Sequence, residues 1–75
     1  MAYRPDKCLL PSILKERRLS ARELSFLTGI SETAISDYSH NRRQMTLSTA
    51  KTIAEALEIP IDDLYTWKQS SSKMG

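Results

Sequence analysis

The sequence is short and has little of several residue types that define classes of protein. Its 75 residues include one cysteine, two glycines and three prolines. A single cysteine excludes an internal disulfide framework and fits a reducing compartment. The scarcity of glycine and proline argues against a turn-rich β fold. A chain of this length forms one domain at most, and we expect residues 1–75 to be that domain, with an ordered core over about 8–67.

Long apolar runs and a strong net charge are also missing. No run approaches the roughly 20 apolar residues of a membrane-spanning helix, and residues 1–14 lack the apolar core of a signal peptide. We therefore expect a cytoplasmic protein. The formal net charge is only +2, but residues 1–43 carry eight Lys and Arg against five Asp and Glu, whereas residues 44–75 carry three against four. This basic half fits nucleic-acid binding, although a solvated helical surface looks similar.

Apolar residues recur at the spacing of a helix in five segments. This periodicity, with the start and stop signals around it, predicts helices over about 10–18, 21–28, 32–39, 47–58 and 61–67. The expected class is therefore all-α with five helices. Residues 1–6 and 69–75 are predicted to be frayed ends.

The clearest local signals surround the second and third helices. Ser20 and Glu23 have the spacing of a capping box, in which each side chain bonds to the backbone N–H of the other residue. Gly29 is predicted to end the second helix with a positive φ, because glycine adopts that conformation without strain. Ser31 is predicted to cap the third helix and Thr46 the fourth.

Two helices joined by so short a turn must cross at a steep angle. Leu24 and Leu27 are predicted to bury one face of the second helix, and Ile35 and Tyr38 one face of the third. The steep crossing leaves the third helix on the surface, where it can enter a DNA major groove while the second helix crosses the backbone. Many helical hairpins share this spacing, so the pattern alone is only moderately specific.

At these residues the sequence resembles the phage-repressor (Cro-type) helix-turn-helix family, also called the xenobiotic-response-element type. The matching segments lie between about Leu10 and Leu64 and include residues 19–24, 29–36, 41–43, 50, 53–54, 56–57, 59 and 62–64. The resemblance implies a lambda-repressor-like five-helix domain that binds an operator, commonly as a dimer, and controls transcription. We expect a bacterial or phage repressor at a palindromic operator. The chain departs from the family pattern at Ala21, Ser39 and Asn41.

The resemblance also implies which side chains meet DNA. Glu32 can accept from a cytosine amino group, and the hydroxyls of Thr33 and Ser36 can bond to base edges. The predicted base contacts are Ser31, Glu32, Thr33, Ser36 and Asp37. Phosphate contacts are predicted, from charge and position, for Arg22, His40, Asn41, Arg42 and Arg43. The alternative is a solvated helix face followed by a solvated basic loop.

Catalysis is not expected, because the one histidine, His40, and the one cysteine, Cys8, lie in different segments. No Gly-rich phosphate loop or metal-ligand spacing occurs, so no cofactor is predicted. A homodimer is expected on DNA, because each monomer inserts only one helix. Its predicted surface is Ile61, Leu64, Tyr65 and Trp67, although Leu64 and Trp67 could instead close the monomer core. The competing functions are an antitoxin-type DNA-binding protein and a protein–protein interaction module that has lost DNA binding.

Overall fold

The computed structural model of the chain describes residues 2–70. Within them the elements are β1 (Ala2–Cys8), α1 (Leu10–Arg17), α2 (Ala21–Thr28), α3 (Glu32–Ser39), α4 (Leu47–Leu57), a single 3-10 turn (Ile61–Leu64) and β2 (Tyr65–Ser70). The first four predicted helices are confirmed, each to within one residue of its expected ends. The predicted class was wrong in part, because this part of the chain contains four α-helices and a two-stranded sheet rather than five helices.

Side-chain caps fix where α2, α3 and α4 begin. At α2 the capping box is present: the Glu23 N–H donates to Ser20 Oγ at 3.0 Å, and the Ser20 N–H donates to Glu23 Oε1 at 2.9 Å. Ser31 and Thr46 each accept a hydrogen bond from the backbone N–H three residues further on. These bonds satisfy N–H groups that a helix leaves without internal partners, so each predicted start is confirmed.

Left-handed residues end three of the helices. Gly29 follows α2 with φ 78°, as its position in the sequence predicted. Arg18 and Glu58 adopt the same conformation after α1 and α4, with φ 57° and 59°. An L-residue with a side chain loses about 1–2 kcal/mol in this region. Of the three, Gly29 is therefore the one whose residue type suits the backbone without strain.

Every helix and both strands contribute to one hydrophobic core. The buried core residues among those described are Cys8, Leu10, Leu14, Leu24, Ile35, Tyr38, Ala50, Ile53, Ala54, Leu57, Leu64 and Tyr65. Because α1 to α4 all pack on this cluster, the helix-turn-helix has a fixed support beneath it. The core thus sets the orientation in which α3 is presented.

One predicted core residue lies outside this cluster. Leu27 was expected to be buried on α2, but it is 57% exposed. The side of α2 that faces the core is formed by Leu24 with the half-buried Ala21, Ser25 and Thr28. These four positions lie on one helix face at spacings of three and four, and Leu27 falls beside that face.

The two ends of the described chain pair with each other. β1 and β2 form an antiparallel sheet in which Pro5 is opposite Trp67 and Cys8 is opposite Tyr65. One additional residue of β1 between these two pairs makes a bulge. The prediction that residues 1–6 are frayed was therefore wrong from Ala2 onward. Of the predicted tail 69–75, the first two residues lie in β2 and residues 71–75 lie outside the described residues.

The predicted fifth helix is reduced to one 3-10 turn followed by a strand. Leu64 and Tyr65 are buried, as helical spacing would allow, but Tyr65, Thr66 and Trp67 are aromatic and β-branched residues that favour strands. Their partner strand lies roughly 60 residues away, at the other end of the chain. Periodicity within a short window cannot detect such a partner, and this is why the helix prediction failed.

Candidate nucleic-acid interface

The recognition helix predicted from the sequence is α3. Its inner side is anchored by Ile35 and Tyr38, which are 0% and 7% exposed. Its outer side leaves Glu32 and Thr33 exposed near the N-terminus, beside the Gly29 turn. The turn and the inner anchors thus hold α3 on the surface with a polar face outward, which is the arrangement a groove-binding helix requires.

The five residues predicted to contact bases lie together at this outer face. Ser31, Glu32 and Thr33 are exposed, whereas Ser36 and Asp37 are half-buried. Positions 32 and 36, and positions 33 and 37, are four residues apart and therefore neighbours on one side of the helix. Ser31 has a structural role as well, because its Oγ caps α3 by accepting from the Ala34 N–H at 3.1 Å.

An ion pair joins the end of α3 to the loop that follows. Arg42 Nε donates to Asp37 Oδ1 at 3.2 Å, and Arg42 Nη2 donates to Ser36 Oγ at 3.4 Å. The side chains of Arg42 and Asp37 are 59% and 31% exposed, so the pair adds little stability. Its effect is to place a cation next to the carboxylate of Asp37, which would otherwise repel a phosphate.

The loop between α3 and α4 carries four of the five predicted phosphate contacts. His40, Asn41, Arg42 and Arg43 are all exposed. His40 Nδ1 lies 2.8 Å from the Ser36 carbonyl oxygen, which accepts from it when that nitrogen is protonated. The loop therefore brings its three basic side chains, His40, Arg42 and Arg43, to the C-terminal end of α3.

Two features of this loop were missed by sequence reasoning. The guanidinium of Arg43 lies 5.2 Å from the centre of the Tyr38 ring, so a buried aromatic residue supports an exposed cation. The second is that Asn41 Oδ1 accepts from the Cys8 N–H at 2.8 Å, whereas its left-handed φ of 60° is one that asparagine tolerates. The aromatic at position 38 was predicted only as a core residue, and no local signal connects Asn41 with a strand 33 residues earlier.

Arg22 lies apart from that loop, in the first turn of α2, where it is exposed. Its position fits the expected backbone contact of the helix before the recognition helix. It lines a shallow groove with Leu19, Glu23, Phe26 and Leu27. Phe26 is 90% exposed, and sequence reasoning did not single it out.

The predicted dimer surface needs correction at two of its four residues. Leu64 and Tyr65 are 0% and 8% exposed, because both pack into the core of their own chain. Ile61 is half-buried and Trp67 is 42% exposed. Trp67 Nε1 donates to the Asp62 carbonyl oxygen at 2.9 Å, which holds the indole against the 3-10 turn. Of these four residues, Ile61 and Trp67 thus retain side-chain surface for another chain.

Burial changes the pKa of two side chains at the place where the sheet meets the core. Removal from water raises the pKa of the Cys8 thiol, partly offset by a hydrogen bond with the backbone of Leu10. Burial likewise raises the pKa of the Tyr65 hydroxyl. Among residues 2–70 no three His, Cys, Asp or Glu side chains come together as metal ligands would. No helix in that range is long and apolar enough to cross a membrane.

Comparison with known proteins agrees with this geometry. A family model described as Cro/C1-type HTH DNA-binding domain matches residues 10–70. The chain is 38% identical over 63 residues to the SPbeta prophage-derived uncharacterized HTH-type transcriptional regulator YopS of Bacillus subtilis (strain 168), which covers 83% of this chain and 85% of the relative. It is 32% identical over 66 residues to YotL, a regulator with the same description from the same organism, over 87% of this chain and 82% of the relative.

Proposed function

The chain belongs to the family of Cro/C1-type helix-turn-helix DNA-binding domains, and we propose that it is a transcriptional repressor that binds a palindromic operator as a dimer. The observation that carries this proposal is the outward polar face of α3 with the Arg42–Arg43 loop directly behind it. Two relatives, both described as prophage-derived transcriptional regulators, support a regulatory role and a phage or bacterial origin. We also propose that the protein is not an enzyme and that it acts on DNA in the cytoplasm.

Reading of the base sequence is assigned to the outer face of α3. Glu32 accepts from a cytosine amino group, and Thr33 bonds to a base edge or contacts a thymine methyl group. Ser36 offers a hydroxyl from the middle of the same face. Ser31 and Asp37 border it, and Asp37 approaches the DNA only together with Arg42, to which it is bonded.

Phosphate binding is assigned to the side chains around that face. Arg42 and Arg43 supply charge behind the recognition helix, with His40 beside them, and Arg22 supplies it from the first turn of α2. Such contacts fix the register of a protein on the duplex and carry no base preference of their own. Affinity and sequence preference are thus carried by different residues, which makes the proposal separable by mutation.

Dimer formation follows from the small footprint of one helix. A single α3 reads few bases, and pairing two copies doubles the contacts and gives half-sites about 34 Å apart. The proposed surface is centred on Ile61 and Trp67, the two predicted interface residues that are not fully buried in the monomer. Operator binding brings the copies together even where the free dimer is weak.

The decisive experiment is selection of bound duplexes from a random library, followed by titration of the enriched duplex at several salt concentrations. We expect one palindromic motif to emerge. If about six phosphates are neutralised, counterion release gives a log–log slope near −5. Absence of binding to every selected duplex at low salt would refute DNA binding by this chain. Binding without sequence enrichment would refute the operator proposal while leaving non-specific binding.

A further inference from the structure

The loop between α3 and α4, residues 40–46, carries Arg42 and Arg43 but contains no helix or strand of its own. A loop of this kind can adopt many conformations unless other parts of the molecule hold it. Two hydrogen bonds tie it to the terminal sheet, and they lie on either side of the two arginines. Neither bond belongs to the helix-turn-helix itself.

The first bond holds the loop directly after α3. Asn41 Oδ1 accepts from the Cys8 N–H at 2.8 Å, while the Asn41 N–H donates to the Tyr38 carbonyl oxygen at 3.1 Å. Asn41 therefore connects the end of the recognition helix with β1. Cys8 is only 7% exposed, and the bulge of β1 lies directly before it. Without Asn41 its N–H would lack this partner in a poorly hydrated place, which is unfavourable.

The second bond holds the loop shortly before α4. The Met45 N–H donates to the Tyr65 hydroxyl oxygen at 3.1 Å. Tyr65 is 8% exposed, so its ring is fixed by the core and its hydroxyl is a rigid acceptor. Cys8 and Tyr65 are directly opposite each other in the sheet register. A single rung of the terminal sheet thus holds the loop at positions 41 and 45.

We propose that the Cys8–Tyr65 rung is a clamp that fixes the Arg42–Arg43 loop for phosphate binding, with Asn41 and Tyr65 as its positioning residues. This inference rests on the proposed DNA-binding function. A clamped loop is already in its binding conformation, whereas a loosened loop binds in proportion to the fraction of time it spends there. Because the loop meets phosphates rather than bases, loosening it weakens all DNA sequences equally. Asn41, predicted as a phosphate contact, acts instead by holding its neighbours.

Asn41→Gly tests the first bond, because glycine keeps the left-handed backbone and removes only the side chain. We expect affinity for the selected operator to fall by about threefold to tenfold, the range of one net hydrogen bond, with an unchanged base preference. The matched control is Glu58→Gly, at another exposed left-handed residue, which lies at the end of α4. It makes the same backbone change outside the clamp. Because it also removes a negative charge, its affinity for DNA should not fall below that of the wild type.

Tyr65→Phe tests the second bond at a residue that is buried and cannot reach DNA. Phenylalanine keeps the ring in the core and removes the hydroxyl that accepts from Met45. We expect affinity to fall by about threefold to tenfold here as well, on the same basis. The matched control is Tyr3→Phe, which deletes a hydroxyl from a ring that is 67% exposed on β1. Its affinity should not change.

Amide hydrogen exchange and ¹⁵N relaxation of the free protein test the clamp without DNA. Asn41→Gly should accelerate amide exchange at Cys8, and Tyr65→Phe should accelerate it at Met45. The exchange rate of the Ile53 amide in α4 should stay the same in both variants. Both variants should lower the heteronuclear NOE of Arg42 and Arg43. These readings separate a loosened loop from a general loss of stability, which would also change Ile53.

The outcomes divide clearly. Weaker binding by both variants, with increased loop mobility and no loss of affinity in the controls, supports the clamp. If Asn41→Gly binds weakly and Tyr65→Phe binds normally, Asn41 contacts DNA itself and the clamp is wrong. Unchanged relaxation at Arg42 and Arg43 in both variants also overturns it. If the wild-type chain binds no duplex, the proposed function fails, and the exchange and relaxation data still decide whether the rung holds the loop.

Discussion

Replacing Gly29 by valine should destabilise the turn between α2 and α3 by an amount that the structure allows to be worked out. Gly29 has φ 78°, and no atom outside Gly29 and its two chain neighbours lies within 4 Å of the place where a Cβ would be. The cost therefore arises in the local backbone and not from a clash with another part of the molecule. A side chain in the left-handed region costs about 1–2 kcal/mol. A side chain also lowers the conformational entropy of the unfolded chain relative to glycine, which offsets about 0.4–1 kcal/mol of this cost.

The balance predicts a loss of about 1 kcal/mol for Gly29→Ala. Valine should lose more, about 2 kcal/mol, because branching at Cβ further disfavours positive φ. In a domain of this size each kcal/mol lowers Tm by about 4–8 °C. Thermal unfolding followed by circular dichroism measures these shifts. Gly29→Asn should lie closer to the wild type, because Asn41 adopts φ 60° in the same molecule.

Glu58→Gly is the reverse control, because it places glycine at a residue that already has φ 59°. It should leave Tm unchanged or raise it. A valine variant that melts with the wild type would refute the reasoning, since it would show that the turn is not held in the left-handed conformation. A loss for alanine as large as that for valine would also contradict it, because the branched side chain would then add nothing.

Four further outcomes are expected. Arg42→Ala should weaken binding to all duplexes about equally, whereas Thr33→Ala should change the free-energy difference between preferred and other bases by about 1–3 kcal/mol. The control is Lys68→Ala, which removes an exposed cation of β2. The reverse pattern would show that α3 is not the recognition helix. Sedimentation of the operator complex should find two chains per palindromic site, and one chain on an asymmetric site would exclude the dimer. Ser20→Ala should cost about 1 kcal/mol of stability by urea unfolding, as loss of a capping box does. Burial raises the pKa of the Cys8 thiol, so the neutral thiol should contribute its full stabilisation below the unfolded pKa of about 8.5. This contribution should be lost as pH rises through the folded pKa. Unfolding of Cys8→Ser and of the wild type across this pH range measures the loss.

The start and end of each central helix could be predicted from the sequence because their causes are local. Ser20 and Glu23 are three residues apart, and the bonds between them need no other part of the chain. The left-handed turn at Gly29 likewise depends on one residue's lack of a Cβ. The outward face of α3 follows from the inward spacing of Ile35 and Tyr38. For the same reason the candidate base contacts could be named by number, and their role in binding stays a prediction.

What only the tertiary structure decided involves residues that are far apart in the chain. The sequence predicted Tyr65 and Trp67 to be helical, but in the structure they pair with β1 as a strand. Leu64 and Tyr65 are buried in the core and do not form the predicted dimer surface. Asn41 was predicted only as a phosphate contact, and its hydrogen bond with the Cys8 N–H, 33 residues earlier, could be found only in the structure. A hydrogen bond between distant residues depends on where the whole core places two backbones. Helical periodicity depends only on residues within a few turns of each other. It therefore predicted the helices, but not the terminal sheet or the hydrogen bonds between that sheet and the loop.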